Sequence, residues 1–254
     1  RGERGEVVLE VEGLSRGTHV RDVDLVLHAG EVLGIAGLVG SGRTELARLL
    51  AGIDRPTSGA VRVRGRRRLL RTPADAMAAG ITLLPEDRLA YGLVRSFQVR
   101  ENLTLPTLRR FRLRRWLPIP SRAQEVRRSR EIVERLSIAT SGVDQIVSRL
   151  SGGNQQKVVL GKWLLSDADV FIFDEPTDGV DVGAKAEIFR EVRALAAQGK
   201  AIIFISSEFE ELLEVSDRVL VLREGRVSGE LEGDDITEAR MVELCYAAAA
   251  EGGS

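Results

Sequence analysis

Four consecutive apolar residues, Val170–Phe173, run directly into two carboxylates, Asp174 and Glu175. A strand without apolar/polar alternation is buried on both faces, the condition of a parallel sheet covered by helices on each side. Open α/β sheets present ligands at the carboxyl ends of such strands, so the acidic pair stands where chemistry is expected. Taken alone, it also fits an acidic surface turn after a core strand. A second apolar run, Ala201–Ile205, repeats the pattern, and a third, Glu31–Ala36, ends in the glycine-rich stretch Gly37–Gly42.

That stretch reads GLVGSGRT from Gly37 to Thr44. It matches the phosphate-binding loop G-x-x-x-x-G-K-[ST] at every fixed position except one, where Arg43 replaces lysine. Glycines let backbone N–H groups turn inward around phosphate, and the following helix adds its positive end. A wide planar guanidinium is no simple substitute for an ammonium in a tight loop. The loop alone is equally compatible with a plain glycine-rich β–α turn. A third string, LSGGNQQK from Leu150 to Lys157, places Ser151 as N-cap with two glycines at a helix start. Exposed backbone donors at a positive helix end suit a terminal phosphate.

Strand and helix signals alternate through the first part of the chain. Val7–Val11, Asp24–Leu27, Ala60–Val63 and Ile81–Leu84 read as strands. Leu46, Leu49 and Leu50 share one helical face that Gly52 ends, and Thr72-Pro73 opens a helix that Gly80 closes. From about Tyr91 to Leu150 strand signals fade, and a helix is expected over 123–137. Nine arginines and one acid, Glu125, fall between Arg109 and Arg130. This block is read as a mainly helical insertion. Its arginines form either a solvated face or a surface near an anionic lipid leaflet. The α/β rhythm then returns, with helices at Asn154–Leu165 and Gly183–Gln198. A hairpin follows, Arg218–Leu222 with Val227–Leu231, and a last helix is expected near Thr237–Ala249.

The 254 residues carry 37 basic and 38 acidic side chains, so no positive excess marks a nucleic-acid binder. Hydrophobic content of 43% supports a real core and excludes disorder as the main state. The single cysteine, Cys245, permits no intrachain disulfide and is expected to pack rather than react. No apolar run approaches the roughly 20 residues needed to cross a bilayer. The chain opens at Arg1 without a signal-peptide pattern, as an excised piece of a longer protein would. Of the two histidines, His28 is expected on the surface after a strand and His19 in a loop.

The three motifs in this order resemble an ATP-binding-cassette domain. LSGGNQQK is similar to that family's signature sequence, just ahead of the apolar strand that ends in Asp-Glu. GLVGSGRTE, LPEDR…GLV, ENLTL, DVGAK and ISSE narrow the resemblance to the second cassette of tandem ATPases that energise ribose, xylose and galactose import. The resemblance implies an α/β P-loop NTPase. It has a mainly parallel central sheet, an N-terminal antiparallel β subdomain and an inserted helical subdomain. One nucleotide-binding domain would fill 1–254, with core and β subdomain at 1–90 and 151–254 and the helical subdomain at 91–150.

By the same resemblance, Gly37, Gly40, Ser41, Gly42, Arg43, Thr44 and Glu45 would bind ATP. Thr44, Asp174 and Glu86 would serve Mg²⁺. Glu175 and Ser207 would act at the terminal phosphate. Ser151, Gly152 and Gly153 would reach a nucleotide held by the companion cassette, with Asp181 in the loop facing it. Arg43, Glu86 and Ser207 depart from the usual lysine, glutamine and histidine. The expected adenine-stacking aromatic is missing, with only His19 in its region. Implied partners are a companion cassette in the same longer chain, a transmembrane permease and, indirectly, a sugar-binding protein. Nucleic acid is not among them. The implied place is the cytoplasmic face of a bacterial plasma membrane. The alternative is a nucleotide-holding regulatory module without turnover.

Overall fold

A computed structural model describes residues 5–86, 92–114 and 117–246. In chain order the first elements are β1 (Val7–Arg16), β2 (Val20–His28), β3 (Val32–Gly37), α1 (Arg43–Leu50), β4 (Ser58–Val63), β5 (Arg66–Arg68), α2 (Pro73–Ala78) and β6 (Ile81–Leu84). Then come α3 (Val99–Thr104), β7 (Arg112–Arg114), β8 (Leu117–Pro120), α4 (Arg122–Arg135) and α5 (Gly152–Leu164). The chain continues through β9 (Val170–Asp174), α6 (Val182–Ala197), β10 (Ala201–Ile205), α7 (Phe209–Val215), β11 (Arg218–Arg223), β12 (Arg226–Glu232) and α8 (Glu238–Tyr246). Contacts divide these into two compact units: 1–83, 168–175 and 191–254, and 84–167 with 176–190.

In the first unit, six strands form one sheet in the order β12-β11-β3-β10-β9-β6. β10 runs parallel to β3 and β9, and β11 parallel to β3. β12 returns antiparallel, as the hairpin pattern anticipates. Every residue of β3, β9 and β10 is buried, which explains their unbroken apolar runs. A four-stranded antiparallel sheet, β2-β1-β4-β5, makes up the N-terminal part. Its register sets Leu9 and Val11 opposite Leu27 and Leu25 on one side and Val63 and Val61 on the other. All six side chains enter one hydrophobic core with Leu46, Leu49 and Leu50 of α1.

Thr72 caps α2 as expected: its hydroxyl accepts from Asp75 N at 3.2 Å, and the Asp75 carboxylate accepts from Thr72 N at 2.9 Å. Cys245 is buried in α8, a packing residue. His28 corrects the sequence reading. It closes β2 with its side chain only 16% exposed, and its Nδ1 lies 3.0 Å from Glu31 Oε2. Glu31 in turn accepts from Arg218 Nε at 2.8 Å, so the ring belongs to a buried polar network.

In the second unit, α5 packs on α3 and α4 through Gly161. A Cβ there would lie 2.8 Å from Leu103 and closer still to Ile132, so only hydrogen permits the approach. Arg100 and Glu125, both buried, are 3.5 Å apart, and Thr104 Oγ donates to Glu125 at 2.8 Å. Within the arginine-rich block, β7 and β8 form a short antiparallel pair. Arg110 meets Asp167 at 2.6 Å and Arg128 meets Glu131 at 2.6 Å, so part of that charge is neutralised locally. Among the described residues no helix is long and apolar enough to cross a membrane.

Candidate functional site

The glycine-rich loop leaves β3 at Gly37 and enters α1 at Arg43. Ser41 N donates to the Leu38 carbonyl at 3.0 Å, and Leu46 N to the Gly42 carbonyl at 2.9 Å, so the turn closes and the helix begins at once. Gly42 has φ of +100°, and a Cβ on it would strike the His19 carbonyl. Both facts demand glycine there. His19 is an exposed turn residue that contributes its carbonyl to this packing. Gly40 is exposed at the loop tip, and Glu45 sits half-buried in the first turn of α1, where its charge complements the helix end.

The end of β9 meets this loop. Thr44 Oγ1 donates to Asp174 Oδ1 at 3.3 Å. Glu175 leaves the strand with φ of +47°, a left-handed conformation that costs a non-glycine residue about 1–3 kcal/mol. Its backbone N–H donates to the Ile205 carbonyl at 3.0 Å, so the neighbouring strand β10 helps to hold that turn.

Arg43 does not point freely into the loop. Its side chain is 9% exposed. Nη1 donates to the Ser206 carbonyl at 2.6 Å and lies 3.5 Å from Glu175 Oε1. Ser207 Oγ donates to the other carboxylate oxygen, Oε2, at 3.3 Å. Burial pushes the Glu175 carboxyl above the usual carboxylate range, opposed by the Ser207 hydrogen bonds and the Arg43 charge. Ser206 Oγ donates to buried Glu211 at 2.7 Å, fixing the turn that carries both serines. Sequence reasoning assigned Ser207 and Glu175 separately and missed Ser206 and Glu211. Their signal was small: a serine and a glutamate within one turn of a helix start.

Thr44 and Asp174 offer hard oxygen donors of the type Mg²⁺ takes, one or two from protein with phosphate and water completing the shell. Among the described residues the buried Ser41 hydroxyl has no hydrogen-bond partner, and an orphan donor in a loop of this kind suits a phosphate oxygen. These residues fit a magnesium nucleotide. Among the described residues no group of three His, Cys, Asp or Glu side chains could hold a metal by itself. Glu86 lies exposed just past β6 and belongs to the second unit.

In that second unit the signature string starts α5. Ser151 is its N-cap: the hydroxyl accepts from Asn154 N at 3.4 Å and from Asn154 Nδ2 at 2.8 Å. Ser151 is exposed, and the Gly152 and Gly153 amides occupy the first turn, where no intrahelical carbonyl can accept them. Asp181 caps α6 by accepting from Ala184 N at 2.9 Å, and a Cβ on Gly153 would stand 3.5 Å from Asp181 Oδ2. The rest of the string secures the helix. Asn154 Oδ1 accepts from Ala139 N at 2.7 Å, Gln155 donates to the Leu150 carbonyl at 3.0 Å, and Lys157 Nζ donates to the Ser137 carbonyl at 3.2 Å. These anchoring roles were missed; a polar run opening an otherwise apolar helix was the available signal.

A Burkholderia cenocepacia protein provisionally named ribose/galactose/methyl galactoside import ATP-binding protein 2 is 51% identical over 239 residues, covering 94% of this chain and 46% of that one. The ribose import ATP-binding protein 2 of Rubrobacter xylanophilus is 49% identical over 240 residues, with the same coverage of 94% and 46%. The chain thus spans about half the length of the curated relatives it matches. A nucleotide-free ATP-binding cassette from an ABC transporter superposes with a TM-score of 0.80 at 21% identity, over 94% of this chain and 98% of that one. A dimeric ATP-binding cassette bound to ADP and Pi gives 0.74 at 19%, over 88% and 98%. At those identities the structural likeness is one of fold: a P-loop cassette with an antiparallel N-terminal sheet and a mainly parallel main sheet. The ABC transporter family model matches residues 20–178, more than half of the sequence and the stretch that holds the loop, the signature and the acidic pair, so this chain belongs to the ABC transporter family.

Proposed function

We propose that this chain is the second cassette of a tandem ATPase that powers import of simple sugars, and that its main catalytic contribution is made in trans. The relatives named for ribose and galactose import support the substrate class. Their greater length leaves room for a companion cassette in the same longer protein. The partners in this reading are that cassette, a transmembrane permease and a sugar-binding protein, with the ATPase peripheral on the cytoplasmic face of a bacterial membrane.

One contrast carries the reading. The Glu175 carboxylate is occupied by Arg43 and Ser207, whereas Ser151 and the amides of Gly152 and Gly153 stand at a helix start with donors to offer. Fixed donors aimed at developing phosphoryl charge act strongly in a water-excluded site. Ser151, Gly152 and Gly153 would therefore stabilise the terminal phosphate of ATP held by the companion. In this chain's own pocket, Gly37, Gly40, Ser41, Gly42 and Glu45 would shape and bind around the nucleotide, and Thr44 and Asp174 would hold Mg²⁺. Glu86 would reach the ion or the permease. When bound, Mg²⁺ neutralises phosphate charge and polarises the phosphoryl group. Glu175 and Ser207 would orient water there. Asp181 would order the loop that meets the companion.

The Arg43–Glu175 pair also favours a second reading, a regulatory cassette that holds nucleotide without turnover. Proteoliposomes containing the full-length ATPase, its permease and the binding protein test the proposed function. ATP-dependent uptake of labelled ribose or galactose is expected. Absence of uptake of any simple sugar overturns the substrate class.

A further inference from the structure

We propose that Arg43 is a positioning residue for Glu175: its guanidinium is shared between the Glu175 carboxylate and a nucleotide phosphate, so that phosphate binding releases the carboxylate. The inference rests on reading Gly37–Thr44 as a nucleotide loop, and it adds how that loop and the acidic pair are coupled.

Three observations lead to it. Arg43 occupies the loop position whose cation should meet phosphate, yet its Nη1 is spent on the Ser206 carbonyl at 2.6 Å and on Glu175 at 3.5 Å. The pair is buried, 9% and 15% exposed, so each charge depends on the other for compensation. The Ser41 hydroxyl, in the same loop, is buried without a partner among the described residues. The cradle is thus one anion short on its donor side while its cation is engaged by the carboxylate.

A nucleotide phosphate supplies the missing anion. Arginine offers five donors in a rigid fork, so it can turn toward phosphate oxygens as it leaves Oε1. The Ser206 carbonyl, fixed through the Ser206–Glu211 hydrogen bond of 2.7 Å, keeps a stationary acceptor beside the stem during the turn. Glu175 retains the Ser207 hydroxyl at 3.3 Å and so stays aimed after release. Lysine, a single ammonium on a flexible stem, could not hold the carbonyl and the carboxylate while offering a second edge. Two costs follow: nucleotide binds more weakly because it competes with Glu175, and Glu175 is withheld until phosphate is present.

Calorimetric titration of this chain with Mg-ADP tests the exchange. ADP lacks the terminal phosphate that would sit nearest Glu175 and repel it directly. Glu175→Gln should tighten Mg-ADP at least fivefold in the otherwise unchanged chain, and less than twofold in the Arg43→Met background. Equal tightening in both backgrounds overturns the exchange and leaves the nucleotide reading standing, because the effect then comes from Glu175 alone. Failure of every variant to bind Mg-ADP overturns the nucleotide reading and the exchange with it. If Arg43→Met alone weakens ADP beyond measurement, ¹⁵N guanidinium spectra decide. Arg43 signals should move on ADP addition, and Glu175→Gln should move them before ADP is added. Arg43 signals unmoved by ADP overturn the proposal.

Discussion

The Gln156 side-chain amide donates to the Pro176 carbonyl at 2.6 Å, and both groups are buried. The hydrogen bond ties the signature helix to the chain that leaves the acidic pair. Among the described residues it is the only hydrogen bond of that side chain, whose Oε1 finds no donor there. Gln156→Leu leaves the Pro176 carbonyl buried without a donor, at a cost of about 1–3 kcal/mol. Urea unfolding should show the midpoint fall with the slope unchanged. An unchanged midpoint would mean that solvent already serves that carbonyl.

Gly161 sets the spacing of α5 against α3 and α4. A Cβ would intrude on Leu103 at 2.8 Å and on Ile132. Gly161→Val should destabilise by about 1–3 kcal/mol through overpacking, despite the better helix propensity of valine. Thermal unfolding followed by circular dichroism checks this, and a raised midpoint would contradict the packing account.

Lys162 is buried beside Trp163 and donates to the Gly92 carbonyl. Burial pulls its pKa down to about 8 from 10.5. The unfolded chain therefore binds more protons than the folded one between those values, and stability contributed at this site rises with pH across that window. Below pH 8 the folded protein carries the full cost of a buried charge. The stability of the unsubstituted chain relative to Lys162→Met should climb by up to about 3 kcal/mol between pH 8 and 10.5. Chemical denaturation of both proteins across that range gives the difference directly. A flat difference would show that water reaches the ammonium.

How far the sequence reveals this depended on the physics of each element. β9 and β10 were legible because a strand buried on both faces leaves an unbroken apolar run. Thr72 and Ser151 were legible because capping needs a particular side chain at a particular offset. β5 was not: Arg66–Arg68 is an exposed edge strand whose formation depends on pairing with β4, not on its own propensity. β1 and β2 extend beyond the expected 7–11 and 24–27 because register with each other carries their polar ends. At the site, the loop, the acidic pair and Ser207 were visible as strings. Their mutual commitment was not, since Arg43 and Glu175 meet only when β3 and β9 flank the same strand, β10.

The competition between Glu175 and nucleotide phosphate for Arg43 and the missing adenine-stacking aromatic should make this chain bind ATP weakly and turn it over slowly on its own. Its steady-state ATP turnover should fall well below the enzyme median of about 10 s⁻¹. A coupled phosphate-release assay on the 254-residue chain measures it. Turnover near that median would show that neither departure limits this pocket.

Trans catalysis is decided by comparing two kinds of substitution in the full-length transporter. Ser151→Arg removes the exposed hydroxyl and crowds the helix start, and Gly153→Asp brings a second carboxylate beside Asp181. Either should abolish most sugar-stimulated ATPase activity and transport. Glu175→Gln alters only this chain's own pocket and should cost far less. ATPase rate measured on all three variants in the same proteoliposomes gives the ranking. The account predicts that both signature substitutions are the more damaging. Greater loss from Glu175→Gln would contradict it, and would make the pocket held by Arg43 the working one.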